Sequence, residues 1–356
     1  MGRSDVTRGA RVIGAGIAGA SAAMSLARLG WQVAMTGSPR RAGHVIALNS
    51  AARFILDRMW GAEPLANVPQ QRLARRVILW RDRTPQQIDD ETVVVDAPAL
   101  AGRMAAHAAA AKVAMSEGSC EPASWTVVAT GRSAPGEGTL TGGDRVAIAA
   151  RVALAAAADA DALLIEATPR GWTALLPAGG REGVVFACVP KPGVAPHDAL
   201  QESIADTHAA RHSIAAVIGP CASFDAAPRF RLPPRDGAAL VHAGDAALAF
   251  DPLSGDGAGV ALRTAHLAAS LAEAYACGTD LDALLEFHAY RLARAMSAHL
   301  RGLLRLYAQA PLGTSWSGEL AAMRAMADAV DGSLQDMAAP SFAISQDGLA
   351  PYAGMR

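Results

Sequence analysis

Cysteine and long apolar runs are scarce in this sequence of 356 residues. The four cysteines stand far apart without C-x-x-C spacing, which argues against a disulfide framework or a zinc site. No run reaches the roughly 18 apolar residues that a membrane-spanning helix requires. The N-terminal residues contain no uninterrupted apolar segment, so a secretory signal is not indicated. We therefore expect a cytoplasmic protein with no metal site and no membrane span.

An excess of one charge is also missing. The 32 basic and 33 acidic residues nearly cancel, for a formal net charge of -1, and no basic block is present. We therefore expect no nucleic-acid partner, because phosphate-binding surfaces need clustered positive charge. Lysine is almost absent, since Lys112 and Lys191 are the only two. With 51% hydrophobic residues over this length, the chain is expected to form about two domains.

Glycine, in contrast, is concentrated at two informative places. The first is GAGIAG, which follows a short apolar run at residues 10–13 and precedes a helical pattern. Residues 31–36 have the pattern of a second strand, so the glycines lie in the first turn of a βαβ unit. There Gly14 permits a tight turn, Gly16 lets a pyrophosphate approach the backbone, and Gly19 lets the helix pack on the strand. The motif predicts a dinucleotide site, and a glycine-rich turn without a ligand is the alternative.

The acidic residue that usually ends the second strand of such a unit and binds the adenosine ribose is missing. Gly37 stands at that position. Thr36 or Ser38 could bind the ribose more weakly, or Arg40 and Arg41 could reach the adenosine side. The replacement weakens the expectation of tight FAD binding but leaves the predicted fold unchanged.

The second place, GDAALAFDPLSGDGAG, follows an apolar strand pattern at residues 238–243. Bare backbone amides at a helix N-terminus suit an anion or an electron-rich ring edge. Asp245 can accept hydrogen bonds from sugar-alcohol hydroxyls. Two separate nucleotide-facing turns in one chain fit a long ligand such as FAD.

Four segments together resemble a known family. GAGIAG, VVATGRS, GWTALLP and GDAALAFDPLSGDGAG occur in this order over most of residues 10–275. The sequence is thereby similar to the FAD-dependent monooxygenase and reductase superfamily that includes p-hydroxybenzoate hydroxylase, geranylgeranyl reductases and tryptophan halogenases. This resemblance implies an α/β fold with a Rossmann-like FAD-binding domain of the p-hydroxybenzoate hydroxylase type, an inserted mixed-sheet substrate domain and C-terminal helices.

The patterns along the chain suggest where these regions begin and end. The FAD-binding domain is expected at residues 1–70, 93–140 and 235–280, the substrate domain at 71–92 and 141–234, and a C-terminal helical region at 281–356. Strand patterns occur at residues 145–154, 162–168, 172–176 and 183–190, and an amphipathic helix is predicted for 197–218. The helical tail could cover the substrate cavity or form a dimer face.

The resemblance also implies roles for individual residues. Asp245 binds the ribityl chain, Pro252 borders the flavin face where oxygen and substrate meet, and the last glycine turn lies against the pyrimidine edge. Ordinary turn geometry is the structural alternative. The implied cofactor-binding residues are Gly14, Gly16, Gly19, Arg40, Thr130, Gly131, Gly244, Asp245, Gly255, Asp256 and Gly257.

Three further residues have a functional and a structural interpretation. Trp172 either lines the substrate cavity or is a core aromatic under the inserted sheet. His44 either faces the flavin cavity or is an ordinary solvated histidine. Asp256 either assists proton transfer near the flavin or caps the following helix, and capping is favoured. Pro252, Trp172 and His44 form the candidate catalytic set.

Details within the superfamily separate halogenases from hydroxylases. Tryptophan halogenases carry a W-x-W-x-I-P segment and a lysine that hypohalous acid reaches. This chain has Ala174 in place of the second tryptophan and Arg72 near the lysine position. Arginine does not lose its proton to form a haloamine at accessible pH, so halogenation is disfavoured. GWTALLP, preceded by LLIEATPR, is closer to the flavoproteins that mature tryptophylquinone cofactors.

The resemblance therefore implies an FAD-dependent monooxygenase that hydroxylates an aromatic substrate through a flavin C4a-hydroperoxide. The substrate is an aromatic small molecule or a tryptophan side chain in a partner peptide or protein. Electrons come from NAD(P)H or from a partner flavin reductase, since no separate NAD(P)H-binding βαβ unit is visible. The alternatives are a geranylgeranyl-reductase-like saturase and a degenerate flavoprotein that acts as a binding module.

Overall fold

The structure is a computed structural model that describes residues 8–38, 45–82, 84–116, 123–133, 138–231, 237–338, 342–345 and 348–351. Two of the candidate site residues, Arg40 and His44, lie outside these ranges. Within them, no helix combines the length and the apolar character needed to cross a membrane.

Nineteen strands and eight helices form the described part of the chain. The strands are β1 (Gly9–Ile13), β2 (Gln32–Thr36), β3 (Val45–Asn49), β4 (Gln70–Leu79), β5 (Gln86–Asp96), β6 (Ala114–Ser116), β7 (Trp125–Val128), β8 (Thr139–Thr141), β9 (Val146–Leu154), β10 (Ala162–Thr168), β11 (Gly171–Gly179), β12 (Glu182–Val189), β13 (Ile214–Val217), β14 (Ala222–Asp225), β15 (Arg229–Arg231), β16 (Leu240–His242), β17 (Leu248–Ala249), β18 (Phe342–Ser345) and β19 (Gly348–Pro351). The helices are α1 (Ile17–Arg28), α2 (Ser50–Trp60), α3 (Ala97–Ala110), α4 (Pro196–Ala205), α5 (Ala210–Ser213), α6 (Gly257–Ala276), α7 (Leu281–Tyr307) and α8 (Ser317–Asp336).

A five-stranded parallel sheet forms the first layer, with strand order β6-β2-β1-β7-β16. Its strands are short and apolar because both faces are covered, and Val12, Met35, Val127 and Val241 are fully buried. The strand order reverses between β1 and β7. In a doubly wound sheet, ligands bind outside the carboxyl ends of the strands at this point. The predicted Rossmann-like unit is thus confirmed.

A larger mixed sheet forms the second layer, with strand order β13-β9-β12-β11-β10-β4-β5-β3, and β14 pairs with β9. The four strands predicted for the insertion correspond to β9, β10, β11 and β12. Sequence analysis did not predict β3 or β5, although β5 is eleven residues long. Both pair in this sheet, so the chain crosses between the layers near residues 45–49 and 93–96. The domain boundaries stay a prediction.

One predicted helix is wrong over its second half. Residues 197–218 were expected to form a single helix, but α4 ends at Ala205 and β13 begins at Ile214. The buried carboxylate of Glu166 accepts hydrogen bonds from the amides of Ala209 and Ala210, which fixes a separate turn there. The chain then continues as an edge strand against β9, which satisfies backbone groups of both strands.

The C-terminal region is helical up to Asp336 and then forms a short antiparallel hairpin of β18 and β19. The sequence analysis expected helices throughout and missed this hairpin. Phe342 of the hairpin packs edge-on against Phe287 of α7, at 5.7 Å between ring centroids. Asp280 caps α7, since its carboxylate accepts a hydrogen bond from the amide of Ala283 at 3.0 Å. The C-terminal helices therefore pack onto the body of the protein.

Candidate functional site

The first glycine turn lies at the carboxyl end of β1, beside the end of β7. Gly14 has a φ of +113°, and a Cβ atom there would lie 2.2 Å from the carbonyl oxygen of Ala129. A Cβ atom on Gly19 would lie 1.8 Å from the carbonyl oxygen of Gly14. Close packing of β1, β7 and α1 therefore requires glycine at both positions, whether or not a ligand is bound.

Gly16 differs from the other two glycines of the motif. Apart from its chain neighbours, no described residue has an atom within 4 Å of a Cβ atom built on Gly16, so their packing does not require glycine there. Gly16 is the N-cap residue of α1, and no side chain of the described residues makes a capping hydrogen bond at this helix start. Amides at a helix N-terminus attract anions, and glycine lets a phosphate approach them closely. The space at Gly16 therefore fits a pyrophosphate.

The end of β2 explains the missing ribose-binding acid. Gly37 has a φ of +99°, a conformation that L side chains rarely adopt. A Cβ atom there would lie 3.6 Å from Cα of Gly14. An acidic residue at position 37 would therefore strain the backbone. The hydroxyl of Thr36 lies 3.5 Å from the carbonyl oxygen of Val12 and is directed toward the neighbouring strand.

The second glycine turn packs directly against the first. Gly244 has a φ of +62°, and a Cβ atom on it would lie 2.8 Å from Cβ of Ala18 in α1. The amide of Gly244 donates a hydrogen bond to the hydroxyl of Thr264 in α6 at 2.7 Å. Two glycine turns separated by about 230 residues in sequence thus meet at one edge of the parallel sheet.

Thr130 and Gly131 follow β7 at the same edge. Gly131 has a φ of +67° and begins a short 3-10 turn. The Thr130 hydroxyl is buried, and it has no hydrogen-bond partner among the described residues. Buried hydroxyls are usually paired, so this one is suited to a ligand group. Thr130 lies beside Gly14, and the sequence analysis expected it to bind the cofactor.

Asp245 is partly exposed, with 35% of its side-chain surface accessible. Its Oδ2 accepts a hydrogen bond from Nε of Arg132 at 3.3 Å. Arg132 also donates to the carbonyl oxygens of Ala227, at 2.6 Å, and Phe250, at 2.9 Å. The sequence analysis gave no role to Arg132, although it directly follows Thr130-Gly131. It holds Asp245 in place while leaving part of the carboxylate accessible.

The last glycine turn leads from Pro252 into α6. Pro252–Ser254 is a 3-10 turn, and Gly255 follows it with a φ of +59°. Asn49 caps α2 through Oδ1 and donates to the carbonyl oxygen of Gly255 at 3.4 Å through Nδ2. Gly257 begins α6, and within the described part of the chain no side chain makes a capping hydrogen bond at its N-terminus. The first amides of α6 are therefore available to an electron-rich group.

Asp256 does not cap α6 as the sequence analysis favoured. It occupies the N-cap position, but its carboxylate forms an ion pair with Arg263. A Cβ atom on Gly259 would lie 2.1 Å from Oδ1 of Asp256, which shows that the carboxylate folds back over the helix. Gly259 leaves room for this arrangement. The capping interpretation is thus replaced by an ion pair along the helix.

Trp172 lies in the core of the large sheet. Its side chain is 1% exposed and packs edge-on against Phe186, at 5.1 Å between ring centroids. Its Nε1 donates to the hydroxyl of Tyr307 at 3.0 Å. The interpretation of Trp172 as a core aromatic fits this placement, and a direct substrate contact stays a prediction.

A buried ion pair directly before Pro252 was missed by the sequence analysis. Arg145 donates to Oδ2 of Asp251 through Nε at 2.9 Å and Nη2 at 2.7 Å, and both side chains are fully buried. Burial lowers the pKa of Arg145, but Asp251, Tyr307 and Cys188 together outweigh this effect, and the pKa rises above its usual value. Arg145 is therefore charged at neutral pH. In the sequence, the only local sign of this ion pair is that an acidic residue, Asp251, directly precedes Pro252.

Four features of this region could each hold part of an extended dinucleotide, and we call them the candidate edge. They are the starts of α1 and α6, neither of which has a side-chain cap among the described residues, the unpaired hydroxyl of Thr130 and the partly exposed carboxylate of Asp245. A phosphate group suits the first helix start and a flavin ring edge suits the second. Of the candidate site residues within the described ranges, Trp172 stands apart from this edge, buried in the large sheet.

Comparison with solved structures finds the same fold at low sequence identity. The peptidyl tryptophan dihydroxylase QhpG, essential for tryptophylquinone cofactor biogenesis, is similar over 87% of this chain and 78% of its own, with a TM-score of 0.73 and 21% identity. The myxobacterial chondrochloren halogenase, a variant of FAD-dependent halogenases, is similar over 91% and 90%, with a TM-score of 0.73 and 16% identity. A geranylgeranyl bacteriochlorophyll reductase-like protein from Thermoplasma acidophilum is similar over 92% and 91%, with a TM-score of 0.68 and 16% identity.

No family model and no curated protein sequence matches this chain. The three structural neighbours represent the hydroxylase, halogenase and reductase branches to which the sequence motifs pointed. The chain therefore has the fold shared by these proteins, and the fold predicted from its glycine motifs is confirmed.

Proposed function

We propose that the protein binds FAD along the carboxyl edge of the parallel sheet. The pyrophosphate would lie at Gly16 and the start of α1, the ribityl chain at Asp245, and the pyrimidine edge of the flavin at the start of α6. The contact between Gly244 and Ala18 carries this proposal, because it brings the two glycine turns together as one extended ligand requires. The uncapped helix starts and the unpaired hydroxyl of Thr130 support it.

The reaction that this arrangement supports best is hydroxylation of an aromatic substrate by an FAD-dependent monooxygenase. Bound reduced FAD would supply the activation of molecular oxygen. The chain would bind the flavin, place Pro252 at its face and exclude water from the reacting side. The similarity to a peptidyl tryptophan dihydroxylase makes a tryptophan in a partner peptide or protein the first substrate to test.

Either of two sources can supply electrons to the flavin. The described residues contain a single parallel sheet, and FAD is assigned to its one switch point. NAD(P)H would then reduce the flavin by transient contact, or a partner flavin reductase would deliver reduced flavin. Stopped-flow reduction of the FAD complex with NADPH and NADH, each without and with a reductase, separates these routes.

The positions of the two lysines weigh against halogenation. Lys112 follows α3 with a φ of +66°, and Lys191 is 67% exposed after β12, with Asp144 3.9 Å away. Arg72, near the halogenase lysine position, lies on β4 and pairs with Glu91 at 3.1 Å. Arginine stays protonated and cannot act in place of that lysine.

The test is a reaction of the purified FAD complex, chemically reduced, with oxygen, chloride, bromide and a panel of tryptophan-containing peptides and free aromatics. The proposal expects a product heavier by one or two oxygen atoms. A halogenated product would instead establish halogenation. Flavin reoxidation without any modified aromatic would contradict the monooxygenase assignment, and a protein that cannot be reconstituted with FAD would support a binding module.

A matched pair of variants assigns the activity to this edge. Gly16→Ala adds a methyl group where the apo protein has open space, so the fold should be unchanged while FAD binding weakens at least about tenfold. Gly302→Ala, on α7, also has open space around its Cβ position and lies outside the proposed edge. It should leave FAD affinity close to that of the natural chain and raise stability by about 0.5–1 kcal/mol, because alanine is the better helix former.

A further inference from the structure

A buried hydrogen-bonded cluster lies directly behind the turn at Pro252, on the side of the C-terminal helices. We call it the Asp251 network. Its members are Asp251, Arg145, Glu319, Tyr307 and His299. Asp251 and Arg145 are fully buried, and the side chain of Glu319 is 9% exposed. Charged groups in such surroundings require close pairing.

Asp251 fixes the backbone on both sides of Pro252. Its Oδ1 accepts a hydrogen bond from the amide of Leu253 at 2.8 Å, and its carbonyl oxygen accepts one from the hydroxyl of Ser254 at 2.9 Å. Its own amide donates to Nε2 of His299 at 2.9 Å. A displacement of Asp251 would therefore move the whole Pro252–Ser254 turn.

The C-terminal helices hold Asp251 in turn. Tyr307, at the end of α7, donates to Oδ2 of Asp251 at 3.0 Å and accepts a hydrogen bond from Trp172. Glu319, on α8, accepts a hydrogen bond from Nη1 of Arg145 at 2.9 Å. The sequence analysis gave the C-terminal helices two alternative roles, to cover the substrate cavity or to form a dimer face. Hydrogen-bonded side chains connect these helices to the candidate site.

The protonation states give each hydrogen bond a fixed direction. Burial raises the pKa of Tyr307 well above its usual value, and the charge of Asp251 raises it further. Burial lowers the pKa of His299 to about 4, although Asp251 opposes this change. At neutral pH Tyr307 is therefore a donor and the Nε2 atom of His299 is an acceptor, as the distances require.

Stability alone does not explain this network. It buries two carboxylates with one guanidinium, and apolar side chains of similar volume are often equally or more stabilising at such positions. Hydrogen bonds between charged groups, in contrast, are short and directional. The network is better suited to holding a backbone segment in one geometry than to raising the free energy of unfolding.

We propose that the Asp251 network positions the Pro252–Ser254 turn against the flavin. Arg145, Glu319 and Tyr307 are then positioning residues, because they act on the cofactor through Asp251. Through them the C-terminal helices become part of the cofactor site. The inference rests on the proposed function, since it concerns the turn assigned to the flavin face.

The test uses Tyr307→Phe, which removes one hydroxyl, and Glu319→Gln, which removes one charge. FAD affinity is measured by fluorescence quenching, and the ring environment by visible circular dichroism of the bound FAD, well below the unfolding temperature. We expect affinity about tenfold lower in each variant, as for a lost hydrogen bond to a charged group. The visible dichroism should change as well, because the turn shifts relative to the ring.

A matched control separates positioning from general destabilisation. Glu166 is also a buried carboxylate, and it accepts hydrogen bonds from backbone amides next to α5, away from the proposed cofactor edge. Glu166→Gln should lower the thermal midpoint while leaving the visible dichroism and the FAD affinity unchanged. If Glu319→Gln does not fold, Tyr307→Phe carries the test alone.

Different results would contradict the positioning role and the proposed function. If both network variants bind FAD with natural affinity and an unchanged visible dichroism, the positioning role is wrong and the proposed function stands. The same conclusion follows if Glu166→Gln changes the dichroism as much as they do. If the natural chain binds no FAD, the proposed function fails and this inference fails with it.

Discussion

The two sides of the candidate site differ in composition: one consists of glycine backbone and the other of buried charged side chains. On the side of the parallel sheet, bare backbone at Gly14, Gly16 and Gly244 forms the edge. On the side of the C-terminal helices, the buried charges of Arg145 and Asp251 form a wall. On the first side, glycine permits close packing at Gly14 and Gly244 and leaves open space at Gly16, whereas on the second side paired side chains fix a turn. The first side should therefore be sensitive to added atoms and the second to removed charges.

The largest expected effect is that of a single methyl group on the backbone side. Gly19→Ala would place Cβ 1.8 Å from the carbonyl oxygen of Gly14, so α1 could no longer pack on β1. We expect the free energy of unfolding to fall by about 4 kcal/mol or more, among the largest values for single substitutions. Urea denaturation of the apo protein measures it. A loss below about 1 kcal/mol would contradict the packing role, and Gly16→Ala is the control.

The second effect tests the charged side. Arg145→Met leaves two buried carboxylates without their partner, and we expect a loss of about 3–5 kcal/mol in the free energy of unfolding. Arg151→Met removes the same charge from an exposed pair with Glu182 and should cost no more than about 1 kcal/mol. Chemical denaturation compares the two. Equal losses would show that the buried pair contributes no more to the free energy of unfolding than the exposed pair does.

The third expected effect is a dependence of stability on pH. It arises where the two sides meet, at the buried histidines His242 of β16 and His288 of α7. Burial, and secondarily the neighbouring His242, lower the pKa of His288 from 6.5 to about 3. The unfolded chain therefore binds a proton below about pH 6.5 that the folded chain does not. Stability contributed by this neutral histidine is complete above pH 6.5 and is lost as the pH falls toward 3. At pH 5 the loss is about 2 kcal/mol.

His288→Leu removes this titration while keeping a side chain of similar size. The decrease in the urea midpoint between pH 7 and pH 5 should therefore be smaller in the variant than in the natural chain. Part of the decrease should persist, because burial also lowers the pKa of His242 and of His299 to about 4. An identical pH dependence in both proteins would contradict the assignment.

The smallest effect concerns Asn49, whose side chain contacts the last glycine turn from the start of α2. Asn49→Ser keeps a good cap for α2 but removes the donor that lies 3.4 Å from the carbonyl oxygen of Gly255. We expect stability to change by less than about 0.5 kcal/mol and FAD affinity to fall a few-fold. Calorimetric titration with FAD measures the second quantity. An unchanged affinity would remove Asn49 from the site.

These differences explain which parts of the site the sequence could reveal. Gly14, Gly16 and Gly19 lie within six residues, and Gly244 follows directly on a strand, so each turn carries a complete local pattern. That Gly244 meets Ala18 follows from the doubly wound strand order, which the βαβ opening already implies. The backbone side of the site, and the fold with it, was therefore predictable.

The charged side was not predictable, for a physical reason. Arg145 and Glu319 are separated by 174 residues in sequence, and nothing near either residue indicates burial or a partner. Arg145 directly precedes β9, and arginine is usually solvated rather than fully buried. The same limit applies to β13, where the edge of β9 and the carboxylate of Glu166 override a helical pattern. In both cases, contacts between residues that are far apart in sequence determine the local structure.

Titration of the purified chain with FAD and with FMN, followed by flavin fluorescence, tests the central claim most directly. If one extended flavin dinucleotide spans both glycine turns, FAD should bind at least about tenfold more tightly than FMN, which lacks the adenosine half and the second phosphate. Gly16→Ala should remove most of that preference. Absence of flavin binding, or equal affinity for FAD and FMN, would contradict the account.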